Sequence, residues 1–357
     1  MCSAWAVSSD CLVAVAAGAL MVGASIGGVC AQSTAAIEAE AQKEGAVVWY
    51  SAMRSEHIEL IAEQFRLDFP KIKIETIFLT SPEVAARVIM EQRGRRFNAD
   101  IISGPSASIS QLKLQKKLTA FTLPAELRKQ HLDGASDPQG YWAVQYVLSY
   151  PITYNTQMVA AQGLAPPRSF EDLTASKWQG KFAISQEYYD WYQGLADYLG
   201  RDKARALAQR LAANKPLIRA TSSTILQLLE AGEYAATFHS FGYAANEEKA
   251  KGKPVDFINA EPLVATMQTG AIALNPPHPN AAKLFQMWMA STEMQQFVVS
   301  KLGRISTHKA VANIESVWNP KRDKIVLLDP DKQVRTSREF QDEYRSIFGI
   351  ASATSHR

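Results

Sequence analysis

The side chains able to do chemistry gather in a few short stretches, and they offer charge and hydroxyl groups more than a nucleophile. Arg54 follows Ser51-Ala52-Met53 and stands immediately before Ser55-Glu56, a helix start. Its fixed positive charge, together with the free amides of that helix end, would hold a carboxylate or a phosphonate. A solvated surface arginine is the plainer reading of the same residue. Thr221-Ser222-Ser223-Thr224 brings hydroxyls and amides to a second helix start, again suited to an anion and equally suited to ordinary N-capping. Ser103 and Ser106 flank the exit of another strand and share that double reading. In Glu187-Tyr188-Tyr189-Asp190-Trp191-Tyr192, one helix face cannot bury every aromatic. Tyr188 and Trp191 are therefore either cleft residues that stack on an organic ligand or cation, or core. His239 at a strand end and Tyr243 just beyond it complete the candidates, a lone histidine of this kind being pocket-lining or simply hydrogen-bonded.

The elements that must position these groups alternate. Val47-Val48-Trp49-Tyr50 reads as a buried parallel strand and Ser55 to Phe69 as an amphipathic helix stopped by Pro70, with Ser55 as N-cap. The loop between them, with Ser51, Ala52 and Arg54, lies at the strand's carboxyl end, where open α/β sheets bind ligands. Lys73 to Leu79, a helix opened by Ser81-Pro82-Glu83, strand Ala99 to Gly104 and a helix from Pro105-Ser106 continue the pattern. Three successive βα units predict a mainly parallel sheet covered on both faces. Tyr141 to Asn155 is a long β-rich run without helical period, and Val264 to Leu274 is another, as two extended crossings between lobes would be. Between them, helix and strand alternate again. Arg338 to Phe348 reads as a terminal amphipathic helix, packing on one lobe or the other. The division expected is 1–31 as leader, 32–150 plus 270–357 as lobe 1, and 151–269 as lobe 2.

Composition excludes several classes. The chain has 357 residues, 47% hydrophobic and 20% charged, with a net charge of +3. That is a soluble two-lobe composition with no field for nucleic acid. Residues 1–31 carry one charged side chain, Asp10, and an apolar run from Leu12 to Val29 ending in Val29-Cys30-Ala31. This reads as a secretory signal peptide cut before Gln32, the alternative being an uncleaved anchor. Cys2, Cys11 and Cys30 all lie within it, so the processed chain would hold no thiol, disulfide or Cys-ligated metal. The nucleophile-elbow spacing of Gly23-Ala24-Ser25-Ile26-Gly27 also falls there. With no phosphate loop, dinucleotide fingerprint or zincin helix, no enzyme, resident cofactor or protein-held metal is expected.

Several stretches together resemble the extracellular solute-binding proteins of ABC importers, in the group of ferric-iron, thiamine and 2-aminoethylphosphonate binders. They are the leader, Val48-Trp49-Tyr50-Ser51-Ala52, Ala99-Asp100-Ile101-Ile102-Ser103, Tyr154-Asn155, Ala231-Gly232-Glu233-Tyr234, Glu261-Pro262, His278-Pro279-Asn280-Ala281-Ala282-Lys283-Leu284-Phe285 and Ser291 to Gln295. The resemblance implies an α/β fold of the type II periplasmic-binding-protein kind, each lobe a mixed, mainly parallel sheet, closing on a small molecule. It also implies a permease partner in the inner membrane, a periplasmic location and a monomer. A periplasmic ligand sensor would need the same cleft.

Ferric members of the group hold iron through two adjacent tyrosines after the Gly-Glu step, often with a histidine in the first βα loop. Here the sequence reads Phe238-His239-Ser240-Phe241-Gly242-Tyr243, Arg54 stands near the histidine's place, and His57 is expected to face outward. Losing a phenolate and gaining a cation disfavours ferric iron. A small organic anion is the expected ligand, with iron as the alternative cargo.

Overall fold

The computed structural model describes residues 33–351. The expected leader, the three cysteines and the expected cleavage point lie outside them. Helix α1 (Thr34–Glu44) leads into β1 (Ala46–Ser51), α2 (Ser55–Asp68), β2 (Lys73–Phe78), α3 (Ser81–Arg93), β3 (Ile101–Pro105), α4 (Ser106–Leu114), β4 (Leu118–Thr119), α5 (Ala125–Lys129) and β5 (Ala143–Ser149). The β-branched and aromatic runs become strands because their alternate residues fill two faces: Trp49 and Ile101 face one core cluster, Tyr50 and Ile102 the other. The chain then crosses to β6 (Ile152–Asn155), α6 (Thr156–Ala161), β7 (Phe182–Ser185), α7 (Tyr189–Leu199), α8 (Arg201–Ala213), β8 (Leu217–Arg219), α9 (Ser222–Glu230), β9 (Ala236–Thr237), α10 (Gly242–Ala250) and β10 (Val255–Ile258). It returns in β11 (Leu263–Ala273), α11 (Pro279–Met289), α12 (Thr292–Leu302), β12 (Ile325–Leu327) and α13 (Pro330–Phe348).

Two mixed sheets result. The first runs β12-β11-β3-β1-β2, with β4 and β5 also on β11, and the second runs β10-β6-β9-β7-β8. Strands β1, β2 and β3 are mutually parallel, as are β7, β8 and β9, while β11 runs antiparallel to β3, β4 and β5. This is the two-lobed mixed α/β architecture expected from the sequence.

The crossings sit side by side. Pro151 lacks an amide, so the long run beginning at Tyr141 breaks into β5 in the first sheet and β6 in the second. The Tyr150 amide donates to the Val264 carbonyl at 2.9 Å, and Ser149 pairs with Ala265. Because β11 is bonded to strands of the first sheet from Leu263 onward, that strand, cut at 269 in the division expected from sequence, lies wholly in the first lobe.

The terminal helix begins at Pro330, earlier than Arg338, because Asp329 accepts from the Lys332 amide at 2.7 Å and Pro330 takes the first turn. It also touches both lobes rather than one. Phe340, Tyr344 and Phe348 join the core of α7 and α8. Asp331 pairs with Ser110 and with Lys113 of α4, whose ammonium is also 2.7 Å from buried Asp137.

Tight packing fixes where α7 meets the return crossing. A Cβ added at Gly194 would overlap the Val264 side chain, which is itself fully buried. Gly194→Ala is therefore expected to destabilise the protein by roughly 1–3 kcal/mol through overpacking, although alanine is the better helix former. Urea unfolding of the two proteins checks this, and an unchanged midpoint would show that Val264 has room to move.

Candidate functional site

The carboxyl ends of β1 and β3 are covered by short turns that spend most of their polar atoms locally. Ser51 is buried and its Oγ accepts from the Met53 amide at 3.3 Å, while the Ala52 amide donates to the Ser103 carbonyl. Ser103 is committed as well, its Oγ accepting from Trp49 Nε1 at 2.8 Å. Helix α2 starts one residue earlier than sequence placed it, with Arg54 rather than Ser55 as N-cap and no side-chain cap. The Arg54 carbonyl takes the amides of His57 and Ile58, leaving the first amides of the helix free for an anion.

Arg54 itself reaches across to the second lobe. Its guanidinium is 3.8 Å from Glu247 and 5.4 Å from the centre of the Tyr243 ring, both on α10, and it remains 38% exposed. A pair this open and this long contributes little to stability. Arg304, which sequence reasoning passed over, is the sharper feature. It is only 4% exposed, and its guanidinium lies 3.1 Å from the centre of the same Tyr243 ring and 5.1 Å from that of Tyr146. It donates to His57 Nδ1 at 2.9 Å, its Nε has no partner, and among the described residues no carboxylate forms an ion pair with it. The one sequence signal was a lone arginine between Leu302-Gly303 and Ile305. The αL glycine that caps α12 turns the chain there.

His57 is buried beside this charge, so the outward orientation expected for it is wrong. Burial, followed by the Arg304 and Arg54 charges, lowers its pKa to about 4. At neutral pH it is an uncharged acceptor for Arg304. Further unpartnered groups adjoin. Gln268 pairs across the sheet with Pro105 and with Tyr146, and its Nε2 is buried without a partner; so is the Oγ of Ser106, the next residue after Pro105. Donors without acceptors thus cluster at the edge of the first lobe.

The second lobe presents the ends of β7 and β8. Thr221 caps α9 through the Thr224 amide, as the plain reading held, while Ser223 is exposed and Ser222 lies beside the Tyr188 hydroxyl. Tyr188 is half-buried at the head of α7. Trp191 is fully buried against Phe170 and Phe238, at 5.2 and 4.5 Å, so it is core and not a cleft residue. His239 is also fully buried and accepts from the Ser185 amide at 2.8 Å. Burial lowers its pKa to about 3, which makes it a neutral structural histidine. Tyr243 meets both arginines, and Glu247 of the same helix meets Arg54.

Two lobes joined by adjacent crossings, with donor groups at the facing ends of their sheets, define a protein that takes a small ligand between lobes. The family comparison agrees: residues 61–324 match the model of the bacterial extracellular solute-binding proteins, and the chain belongs to that family, the solute-capturing components of ABC transporters and not a family of enzymes. Similar solved structures include the periplasmic binding protein AfuA from Actinobacillus pleuropneumoniae with fructose-6-phosphate bound, at 20% identity, TM-score 0.71, covering 86% of this chain and 99% of that one. Iron-bound HitA from Pseudomonas aeruginosa is similar at 19% identity and TM-score 0.71, covering 85% and 99%. The GacH receptor of Streptomyces glaucescens, solved unliganded and with acarbose, matches at 15% identity and TM-score 0.70, covering 86% and 94%. These likenesses show the fold. No curated protein sequence matches the chain.

The depressed histidines give a pH dependence. A histidine whose folded pKa lies below its unfolded value of about 6.5 binds its proton more weakly when folded, so stability falls as pH drops from 6.5 towards the folded pKa. For His57, with a folded pKa of about 4, the loss between pH 7 and pH 5 is about 2 kcal/mol. His239 adds a loss of the same sign. Urea unfolding at both pH values is expected to show a smaller pH-dependent loss for His57→Gln than for the wild type. An equal loss in the two proteins would mean that His57 is not held neutral beside Arg304.

Proposed function

We propose that this protein captures a small organic anion in the periplasm and hands it to an inner-membrane permease, acting as a monomer without chemical turnover of its cargo. The observation that carries this reading is Arg304, a guanidinium 4% exposed that forms no ion pair with a carboxylate among the described residues, sharing the Tyr243 ring with Arg54. A buried charge left unpaired costs several kcal/mol in the empty protein, and an anionic ligand supplies the missing partner. The unpartnered Gln268 Nε2, on the residue that pairs with Tyr146, and the Ser106 hydroxyl add neutral donors on the same sheet's edge, and the open α2 N-terminus adds amides.

Ferric iron is the rival cargo, since HitA is iron-bound. At this place a trivalent cation would meet two fixed guanidiniums across one tyrosine. The same positive groups attract a carboxylate, phosphonate or phosphate ester, and Arg304 can grip it through two parallel hydrogen bonds.

Thermal-shift screening of carboxylates, phosphonates and phosphate esters, followed by titration calorimetry, tests the proposal. Arg304→Met is expected to weaken binding of the best anion by about 2–4 kcal/mol while leaving the empty protein as stable as wild type or more so, because an uncompensated buried charge is gone. Arg54→Ala costs less, about 1 kcal/mol, because solvent screens it. Tyr243→Phe has little effect. A purified protein with visible phenolate-to-iron absorption that Tyr243→Phe abolishes would overturn the anion reading.

A further inference from the structure

Helices α3 and α4 cover one face of the first sheet, where Val84, Val88, Ile109 and Leu112 share a core with Tyr50 and Ile102. Both end at the amino end of β3, away from the carboxyl end that meets the cleft. Helix α3 leads into that strand, and β4, which follows α4, lies close to it through Ile272 of β11, the partner of both Thr119 and Ile101. Gln92 joins the two helix ends, its Nε2 donating to the Lys117 carbonyl at 3.1 Å. Here Arg93, Arg95, Arg96 and Lys116 are exposed and Lys117 is half-buried. The ion pairs of these helices lie elsewhere, Arg87 with Glu91 and Lys113 with Asp137 and Asp331, and among the described residues none of the five cations forms one.

A cation at a helix carboxyl end is ordinary, since it answers the helix dipole. The backbone that carries these is not. Each helix closes in the same cap: the Arg96 amide donates to the Glu91 carbonyl and the Lys117 amide to the Leu112 carbonyl, with Arg95 and Lys116 in the left-handed region at φ 54° and 57°. Glycine is the least strained residue at that position, so both caps keep a charge at a conformational cost. On the same two helices Met90 and Leu114 are 72% and 53% exposed.

We propose that this corner of the first lobe is a contact surface for anionic phospholipid headgroups, holding the protein against a membrane while the cleft stays free at the other end of the strands. The guanidinium forks and ammonium groups meet the phosphates, and Met90 and Leu114 enter the boundary between headgroups and acyl chains. The two apolar side chains favour a lipid surface over a soluble polyanion, which offers charge but no apolar layer. The solute-capturing components of ABC transporters work beside a membrane, so such a surface is at hand. Because the attraction reaches only about 8 Å at physiological salt, the contact is weak and reversible. Nothing in it depends on which solute the cleft takes.

Flotation of the protein released from the periplasm with vesicles of equal parts phosphatidylglycerol and phosphatidylcholine, compared with pure phosphatidylcholine, is the test, run at low and high salt. The wild type is expected to bind the anionic vesicles at least about tenfold more tightly, with the difference lost in high salt. Arg95→Gly combined with Lys116→Gly relieves both caps and removes two charges, each contributing about fivefold beside an anionic leaflet. Vesicle binding is expected to fall at least about tenfold in this variant while the thermal midpoint stays level or rises. Lys215→Gly is the control, because Lys215 has the same backbone, φ 52°, just beyond α8 in the other lobe, and it is expected to leave vesicle binding unchanged. Met90→Ser combined with Leu114→Ser is expected to weaken vesicle binding and to leave binding of inorganic polyphosphate as it was. Equal binding to both vesicle types, no binding to either, binding unchanged in the double glycine variant, or an equal loss in Lys215→Gly overturns the lipid surface. Tight polyphosphate binding together with vesicle binding indifferent to Met90 and Leu114 also overturns it, and assigns the corner to a soluble polyanion.

Discussion

A guanidinium withdrawn from water without a carboxylate to meet it is an expensive thing to fold around, and Arg304 is such a group. Its surroundings make the cost bearable. Tyr243 and Tyr146 lend ring faces, and a neutral His57 lends a lone pair. Ring faces and an imidazole nitrogen stabilise a cation less than a carboxylate would. The residual deficit is what an anionic ligand can draw on, so the free energy withheld in the empty protein reappears as affinity.

The same contact joins the lobes. Tyr243 and Glu247 belong to α10 of the second sheet's lobe, while Arg54, His57 and Arg304 belong to the first. A ligand placed among them would bind both halves at once. The chain spans the cleft at three places: the break at Tyr150-Pro151, the return before Leu263, and α13, whose Asp331 is tied to α4 while its later turns pack on α7 and α8. Gly194 against Val264 and Gly242 against Ser149 show how closely the second lobe is seated on the crossings, since neither position has space for a Cβ. Such joints permit rotation between packed bodies and resist their internal deformation.

Much of the fold was legible because periodicity and turn chemistry are local. The runs at Val47 and Ala99 became strands as read, whereas the single run read from Tyr141 to Asn155 is broken at Pro151. Helix starts slipped by one residue: Arg54, not Ser55, is the N-cap of α2, and Thr80 caps α3, the helix read as opened by Ser81-Pro82-Glu83. The site was legible only in part. Arg54 and Tyr243 were visible from their positions at a strand end and after the Gly-Glu step, and they do meet. Trp191 on α7 and His239 in the bend after β9 went into the core because tertiary packing turns those side chains inward, which a dense aromatic run cannot reveal. Arg304 and His57 were missed because burial of a charged or titratable side chain is set by tertiary contact, and His57 lies 247 positions from the arginine that binds it.

The central claim is that Arg304 waits for a negative charge. Native mass spectrometry of the protein released gently from the periplasm, with elemental analysis for iron on the same sample, tests it most directly. The account predicts a bound organic species bearing an acidic group, retained by the wild type, absent from Arg304→Met, and unaccompanied by stoichiometric iron. A stoichiometric metal adduct that survives in Arg304→Met would contradict it.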